Sequence, residues 1–167
     1  MKPLRLAADT NVLLDAAEEA EVVLDALDLI ARRVPDADWL VPPSVLDELA
    51  FLSDCAETPA VRDSARKALR HLRESRRFRP LLELPFPAEE AEELAAEIRL
   101  RDLVPRAEVH DSRILAESTL LGCGILLSSD QHLRGVDHEA LTFLLTSYDL
   151  LAPVIATPRE VVRKFFR

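Results

Sequence analysis

Short apolar runs that stop at an acid or a proline alternate along this chain with longer stretches whose apolar positions recur every three to four residues. The first pattern marks a buried strand, the second a helix with one dry face. Residues 4–8 form such a run, ending at Asp9. Residues 20–33 carry Val23, Leu24, Leu27, Ile30 and Ala31 at helical spacing. Trp39, Leu40 and Val41 make a second strand, stopped by Pro42 and Pro43, and Ser44 opens a helix through Phe51 and Leu52. Pro59 opens another helix, expected to reach about Phe78, and residues 81–84, between Pro80 and Pro85, form a third candidate strand. A helix over 87–101 has a heavily acidic face, and a second begins near Asp111 and runs to Leu121, where Gly122 ends it. Residues 124–129 read as a fourth strand, closing at Asp130. A helix over 139–145 and a strand over 153–156 follow, and Pro158 suits the first position of a terminal helix.

Strands alternating with helices predict a mostly parallel central sheet covered on both faces, an α/β chain in three α/β/α layers. A length of 167 residues suits one domain over 1–167, and a hydrophobic content of 49% excludes a disordered tail. No apolar run approaches the roughly 20 residues that span a bilayer. The opening residues meet an aspartate too soon for a signal peptide, so a cytoplasmic protein without membrane association is expected. Cys55 and Cys123 belong to no disulfide or zinc spacing, and His71, His110, His132 and His138 lack metal spacing as well. Only three glycines occur, leaving no room for a glycine-rich phosphate cradle.

Candidate chemistry lies in the acids. Asp9 and Asp130 each follow a short apolar strand directly, and Glu48 and Asp111 each sit early in a helix. In open parallel sheets ligands gather at the carboxyl ends of the strands, where the strand order switches, and the helices covering the sheet start near that rim. The fold is therefore expected to gather four carboxylates that are far apart in the chain. Carboxylate oxygens suit a hard cation such as Mg²⁺, which keeps several waters and needs only a few protein ligands. Four such groups without a cation repel one another and hold protons.

These residues carry a resemblance. Leu6-Ala7-Ala8-Asp9-Thr10-Asn11-Val12-Leu13-Leu14-Asp15 resembles the opening motif of PIN-domain nucleases, and Val41-Pro42-Pro43-Ser44-Val45-Leu46-Asp47-Glu48-Leu49 resembles their second. Asp111-Ser112-Arg113-Ile114-Leu115-Ala116-Glu117 is similar to the third, Ile125-Leu126-Leu127-Ser128-Ser129-Asp130 to the fourth, and Pro158-Arg159-Glu160-Val161-Val162 to the closing segment. The ordered set spans nearly the whole chain and is more specific than any one motif. A longer subset, of RNA-decay endonucleases and toxin-type ribonucleases, is resembled from Val41 through Arg70. The resemblance implies cleavage of single-stranded RNA by water activated on Mg²⁺ or Mn²⁺, with Asp9, Glu48, Asp111 and Asp130 as ligands and catalytic residues. It further implies that Asn11 and Ser128 shape the site from beside it, and it allows an antitoxin or other protein partner and a homodimer. His110 stands where many relatives carry Asn or Ala, and Gln131 where an aromatic is common.

A net charge of −9 argues against plain polyanion binding. Against that stands an arginine stripe. Arg62, Arg66, Arg70, Arg73 and Arg77 recur at helical spacing beside an apolar row of Val61, Ala65, Leu69 and Leu72. The stripe is a candidate contact for RNA phosphates; the plainer reading is a solvated face paired with acidic helices, including Glu89, Glu90, Glu93 and Glu97. Two rival functions are open to such a chain. One is a non-catalytic PIN-like module that binds RNA or protein. The other is a phosphohydrolase with an aspartyl intermediate, which wants an acid two residues after Asp9, where this chain has Asn11.

Overall fold

The computed structural model describes residues 2–165. Its centre is a sheet of β1 (Arg5–Ala8), β2 (Asp38–Val41), β3 (Phe78–Pro80), β4 (Ile125–Leu127) and β5 (Val154–Ala156), in the order β3-β2-β1-β4-β5. Every neighbouring pair is parallel. The inner strands are nearly continuous apolar runs because both of their faces are covered: Leu6, Leu40, Leu126 and Leu127 are all fully buried. Each contributes about 1.5–3 kcal/mol relative to an exposed side chain.

The connections are helical: α1 (Thr10–Ala17) and α2 (Glu21–Arg33), α3 (Pro43–Cys55) and α4 (Pro59–Glu74), then α5 (Ala88–Leu100) and α6 (Val109–Leu120), then α7 (Gln131–Arg134) and α8 (His138–Thr146). A last helix, α9 (Pro158–Phe165), follows β5 and packs on α2. The path steps outward from β1 through β2 to β3, then returns to lay β4 against the other side of β1. Right-handed crossovers on such a path put the helices before β3 and those after it on opposite faces, giving three layers. The order reverses between β1 and β4, and a crevice opens there at the strand ends.

Several boundaries differ from the sequence expectation. Helix α4 stops at Glu74, and Phe78 starts β3 instead of ending the helix. Phe78 pairs with Trp39 across the ladder, their rings edge to face at 5.6 Å. That packing outweighs the helical spacing of the preceding arginines. The stretch 81–84 is no strand: Leu82 is 86% exposed, and prolines at 80, 85 and 87 withhold ladder donors. Helix α1 went unanticipated because its TNVLLDAA segment is short and apolar on too many sides to show a period. Helix α7 is a single turn nucleated by its cap. The Gly122 stop holds: its φ is 72°, its N–H donates to the Thr119 carbonyl, and the Cys123 N–H reaches back to Ser118.

Candidate active site

Asp9 and Asp130 leave the sheet at adjacent strand ends. Ala8 pairs with Leu127 in the ladder, and the Asp9 N–H donates to the Leu127 carbonyl at 2.9 Å. Both residues are helix caps. Asp9 accepts from the Thr10 N–H at the start of α1, and Asp130 accepts from His132 and Leu133 at the start of α7. Ser128 joins them. Its hydroxyl donates to Asp9 Oδ2 at 2.6 Å and accepts from the Asp130 N–H at 3.0 Å. Asn11 adds a second tie, donating to Asp9 Oδ2 at 3.4 Å and accepting from the Ser129 N–H at 3.2 Å. The two residues named beside the site are thus in contact with its strand-borne acids.

The other two acids arrive on helices. Glu48 lies one turn beyond Ser44 on α3, and Asp111 lies in the first turn of α6. The start of α3 has no side-chain cap of its own. Buried Glu117 of α6 supplies one, accepting from the Ser44 N–H at 3.1 Å and from its hydroxyl at 2.6 Å. This tie fixes the helix that presents Glu48 against the helix that presents Asp111. At the rim, Glu48 Oε2 accepts from the Thr10 hydroxyl and faces His110 Nε2 at 2.6 Å.

Electrostatics show how close these groups come. Burial raises the Asp9 carboxyl, and the charges of Glu48 and Asp130 add to the rise, against hydrogen bonds from Ser128 and Thr10. Asp111 is pushed up to about 7 by burial and then by the charges of Asp130, Asp9 and Glu108, with no hydrogen bond holding it down. Burial also pushes Glu48 up, but the hydrogen bonds from His110 and Thr10 outweigh it and leave its carboxyl below the usual range. His110 is raised: burial opposes its charge, and the Glu48 bond and charge, helped by Asp9 and Asp111, prevail. Asp9 thus feels the charges of Glu48 and Asp130, and Asp111 those of Asp130 and Asp9.

They do not form a ready-made cage. Among the described residues no three His, Cys, Asp or Glu side chains stand in position to hold a metal ion. Glu48 Oε2 is taken by Thr10 and His110, and Asp130 Oδ1 by the α7 N–H groups.

Two contributors were missed by the sequence reading. In the sequence Thr10 shows only as part of a motif, and His110 only as a departure from the resembled pattern. It is half-buried and ion-paired with Glu48. Its place beside Asp111 was a signal, but its partner 62 positions away was not visible. Asp137 caps α8.

The arginine stripe is broken. Arg77 lies beyond α4 and pairs with Asp28 at 2.7 Å; Arg66 pairs with Asp63, and Arg62 donates to the Ala56 carbonyl. Arg70 and Arg73 are exposed. Val61 of the expected apolar row is exposed too, and Ala65, Ala68 and Leu72 make the buried face. The acids of α5 pair elsewhere, Glu92 with Arg113 and Glu97 with Arg101.

No protein-family model matches this chain, and no curated protein matches it. Among solved structures it is similar to a chain in the crystal structure of VapBC2 from Rickettsia felis bound to a DNA fragment from their promoter, with a TM-score of 0.63. The likeness covers 92% of this chain and 98% of that one at 13% identity, and so is a likeness of fold. No helix among the described residues is long and apolar enough to cross a membrane.

Proposed function

We propose that the chain is a PIN-type ribonuclease that hydrolyses phosphodiester bonds of single-stranded RNA with a divalent cation, Mg²⁺ or Mn²⁺, held by Asp9, Glu48, Asp111 and Asp130. The observation that carries this reading is the set of carboxylates around the β1/β4 switch point, with Asp111 raised to about 7 by burial and then by the charges of Asp130 and Asp9. The donor set is all oxygen, which fits a hard cation, and the repulsion within it is what such an ion relieves. When bound, the cation supplies a water acidified towards hydroxide and a counter-charge for phosphate oxygens during in-line attack.

The protein's own groups prepare that site. Ser128, Thr10 and Asn11 orient Asp9, so its oxygens are aimed before any ligand arrives. Asp111, raised to about 7, would hold a cation in its deprotonated form. Glu48 and His110 share a proton across Oε2 and Nε2, which keeps a positive group at a rim otherwise crowded with negative charge. The fold likeness to a chain of the VapBC2 complex supports a protein partner as well. An antitoxin-like chain covering the acidic rim, and a homodimer, both fit this reading.

Labelled single-stranded and duplex RNA and DNA, incubated with Mn²⁺, Mg²⁺ or chelator, test the proposal. Cleavage of single-stranded RNA alone, only with metal, is the expected result; no cleavage under any condition overturns it. The absence of a ready cage among the described side chains favours one rival, a non-catalytic module. Under that rival calorimetry registers no saturable Mn²⁺ site.

A further inference from the structure

The chain carries a surplus of nine negative charges, so a bound polyanion must follow whatever positive charge its acids have left uncompensated. Two clefts adjoin the carboxylates. The one on the α3/α6 side is lined by Asp47, Glu48, Phe51, His110 and Arg113. Its arginine is taken by Glu92 at 2.5 Å and its histidine by Glu48, so among the described residues lining it no free cation is left for a phosphate. The other, of about 360 Å³, lies on the β4/α9 side, where Arg134, Arg159, Asp15 and Ser129 line it with an apolar floor from Val22, Val23 and Pro158.

Arg134 and Arg159 line this cleft, and Arg134 is near enough to Glu160 to help lower its carboxyl. Neither enters an ion pair among the described residues. Arg159 also occupies the first turn of α9, where a positive charge opposes the helix dipole. That turn is already capped without it, by the reciprocal bonds of Thr157 and Glu160. Its charge therefore does nothing for the helix and faces a cleft. The cleft is continuous with the candidate site through Ser129, which precedes Asp130 and whose N–H is held by Asn11. Asp15, one turn past Asn11 on α1, is the one carboxylate among the described residues lining it, against two guanidinium groups.

We propose that this cleft takes the sugar–phosphate backbone of single-stranded RNA next to the scissile bond, with Arg134 and Arg159 holding phosphates and the Val22–Pro158 floor packing against the sugar or base. The proposal rests on the ribonuclease reading and specifies the substrate path into that site. It also moves the phosphate contacts away from the α4 stripe, three of whose five arginines are engaged by the protein itself. Contacts of this kind position a strand without reading its bases.

The test uses fluorescence anisotropy with a labelled single-stranded oligouridylate, on the full chain carrying Asp9→Asn to prevent cleavage. Adding Arg134→Ala and Arg159→Ala should weaken binding at least about tenfold, and the slope of log affinity against log salt should shrink by about 1.4, at roughly 0.7 per phosphate contact on a single strand. Arg134→Lys with Arg159→Lys should restore most of the affinity, which a folding defect would not allow. Arg66→Ala, Arg70→Ala and Arg73→Ala together should change binding less than the cleft pair. Unchanged affinity and salt slope in the cleft pair, or a larger loss from the α4 set, overturns the proposal while leaving the ribonuclease reading intact. If the unsubstituted chain neither binds nor cleaves the oligomer, both fall together.

Discussion

The four acids divide into a strand-borne pair and a helix-borne pair, and the two are held by different means. Asp9 and Asp130 follow neighbouring strands whose ladder fixes their separation, and Ser128 bridges them with neutral hydrogen bonds. Glu48 and Asp111 ride on α3 and α6, whose spacing depends on side chains: Ser44 on Glu117, Thr10 and His110 on Glu48. The sheet pair is aimed in advance. The helix pair is restrained by a charge partner in one case and left to its neighbours' repulsion in the other. The contrast separates two jobs. Under the proposed function, the strand ends would set where a cation sits and the helices would adjust to it.

The sharpest way to break that contrast is to remove charge from the strand pair. Asp9→Asn should reduce RNA cleavage to background and weaken Mn²⁺ binding, with an unchanged circular dichroism spectrum; residual wild-type turnover in this variant rules out the proposed mechanism. Asp130 separates charge from capping. Asp130→Asn keeps an acceptor for the α7 N–H groups, so activity should be lost with little change in melting, whereas Asp130→Ala should lose activity and about 1 kcal/mol of stability as well. If both variants melt alike, the cap carries no weight.

A smaller effect is expected from the bridge. Ser128→Ala deletes the hydroxyl that donates to Asp9 and accepts from Asp130, and outer-shell losses of this type cost about 10–100-fold in metal affinity or activity. Kinetics at saturating Mn²⁺ check it, and an activity within twofold of wild type would show that the ladder alone aims the acids.

The mildest effect concerns pH and the helix pair. Asp111 has a folded pKa of about 7 against 3.8 ordinarily, so the folded state binds its proton more tightly than the unfolded one. The stability it contributes is present at low pH and is lost as pH rises from about 4 through 7. His110, raised above 6.5, acts in the same direction: its contribution is present below 6.5 and lost as pH passes its folded value. Metal-free protein should therefore melt at a lower temperature at pH 8 than at pH 5.5. Asp111→Asn should flatten that slope, and a slope unaffected by the substitution contradicts the assignment.

How much could be read from the chain follows the same division. Strand-end acids were legible because an apolar run that breaks at an Asp fits the end of a buried strand better than the middle of any element, and β1, β2, β4 and β5 lie where the pattern put them. The placement of β3 was not legible. Phe78 joins the sheet by packing on Trp39, a contact that no local period announces. His110 and Thr10 were opaque for the same reason, since each owes its role to Glu48, distant in sequence. The arginine spacing suggested a continuous stripe, but helix α4 ends before Arg77, and ion pairs absorb part of what remains.

The central claim is that carboxylates from four separate elements act as one cation site. Calorimetric titration of Mn²⁺ into the protein at pH 6.5 and 8, in buffers of different ionisation enthalpy, addresses it most directly. The expected result is saturable binding that is tighter at pH 8 and releases protons at pH 6.5, with the release lost in Asp111→Asn. Binding that is absent, or that proceeds without proton release and survives Asp9→Asn, would contradict a shared site.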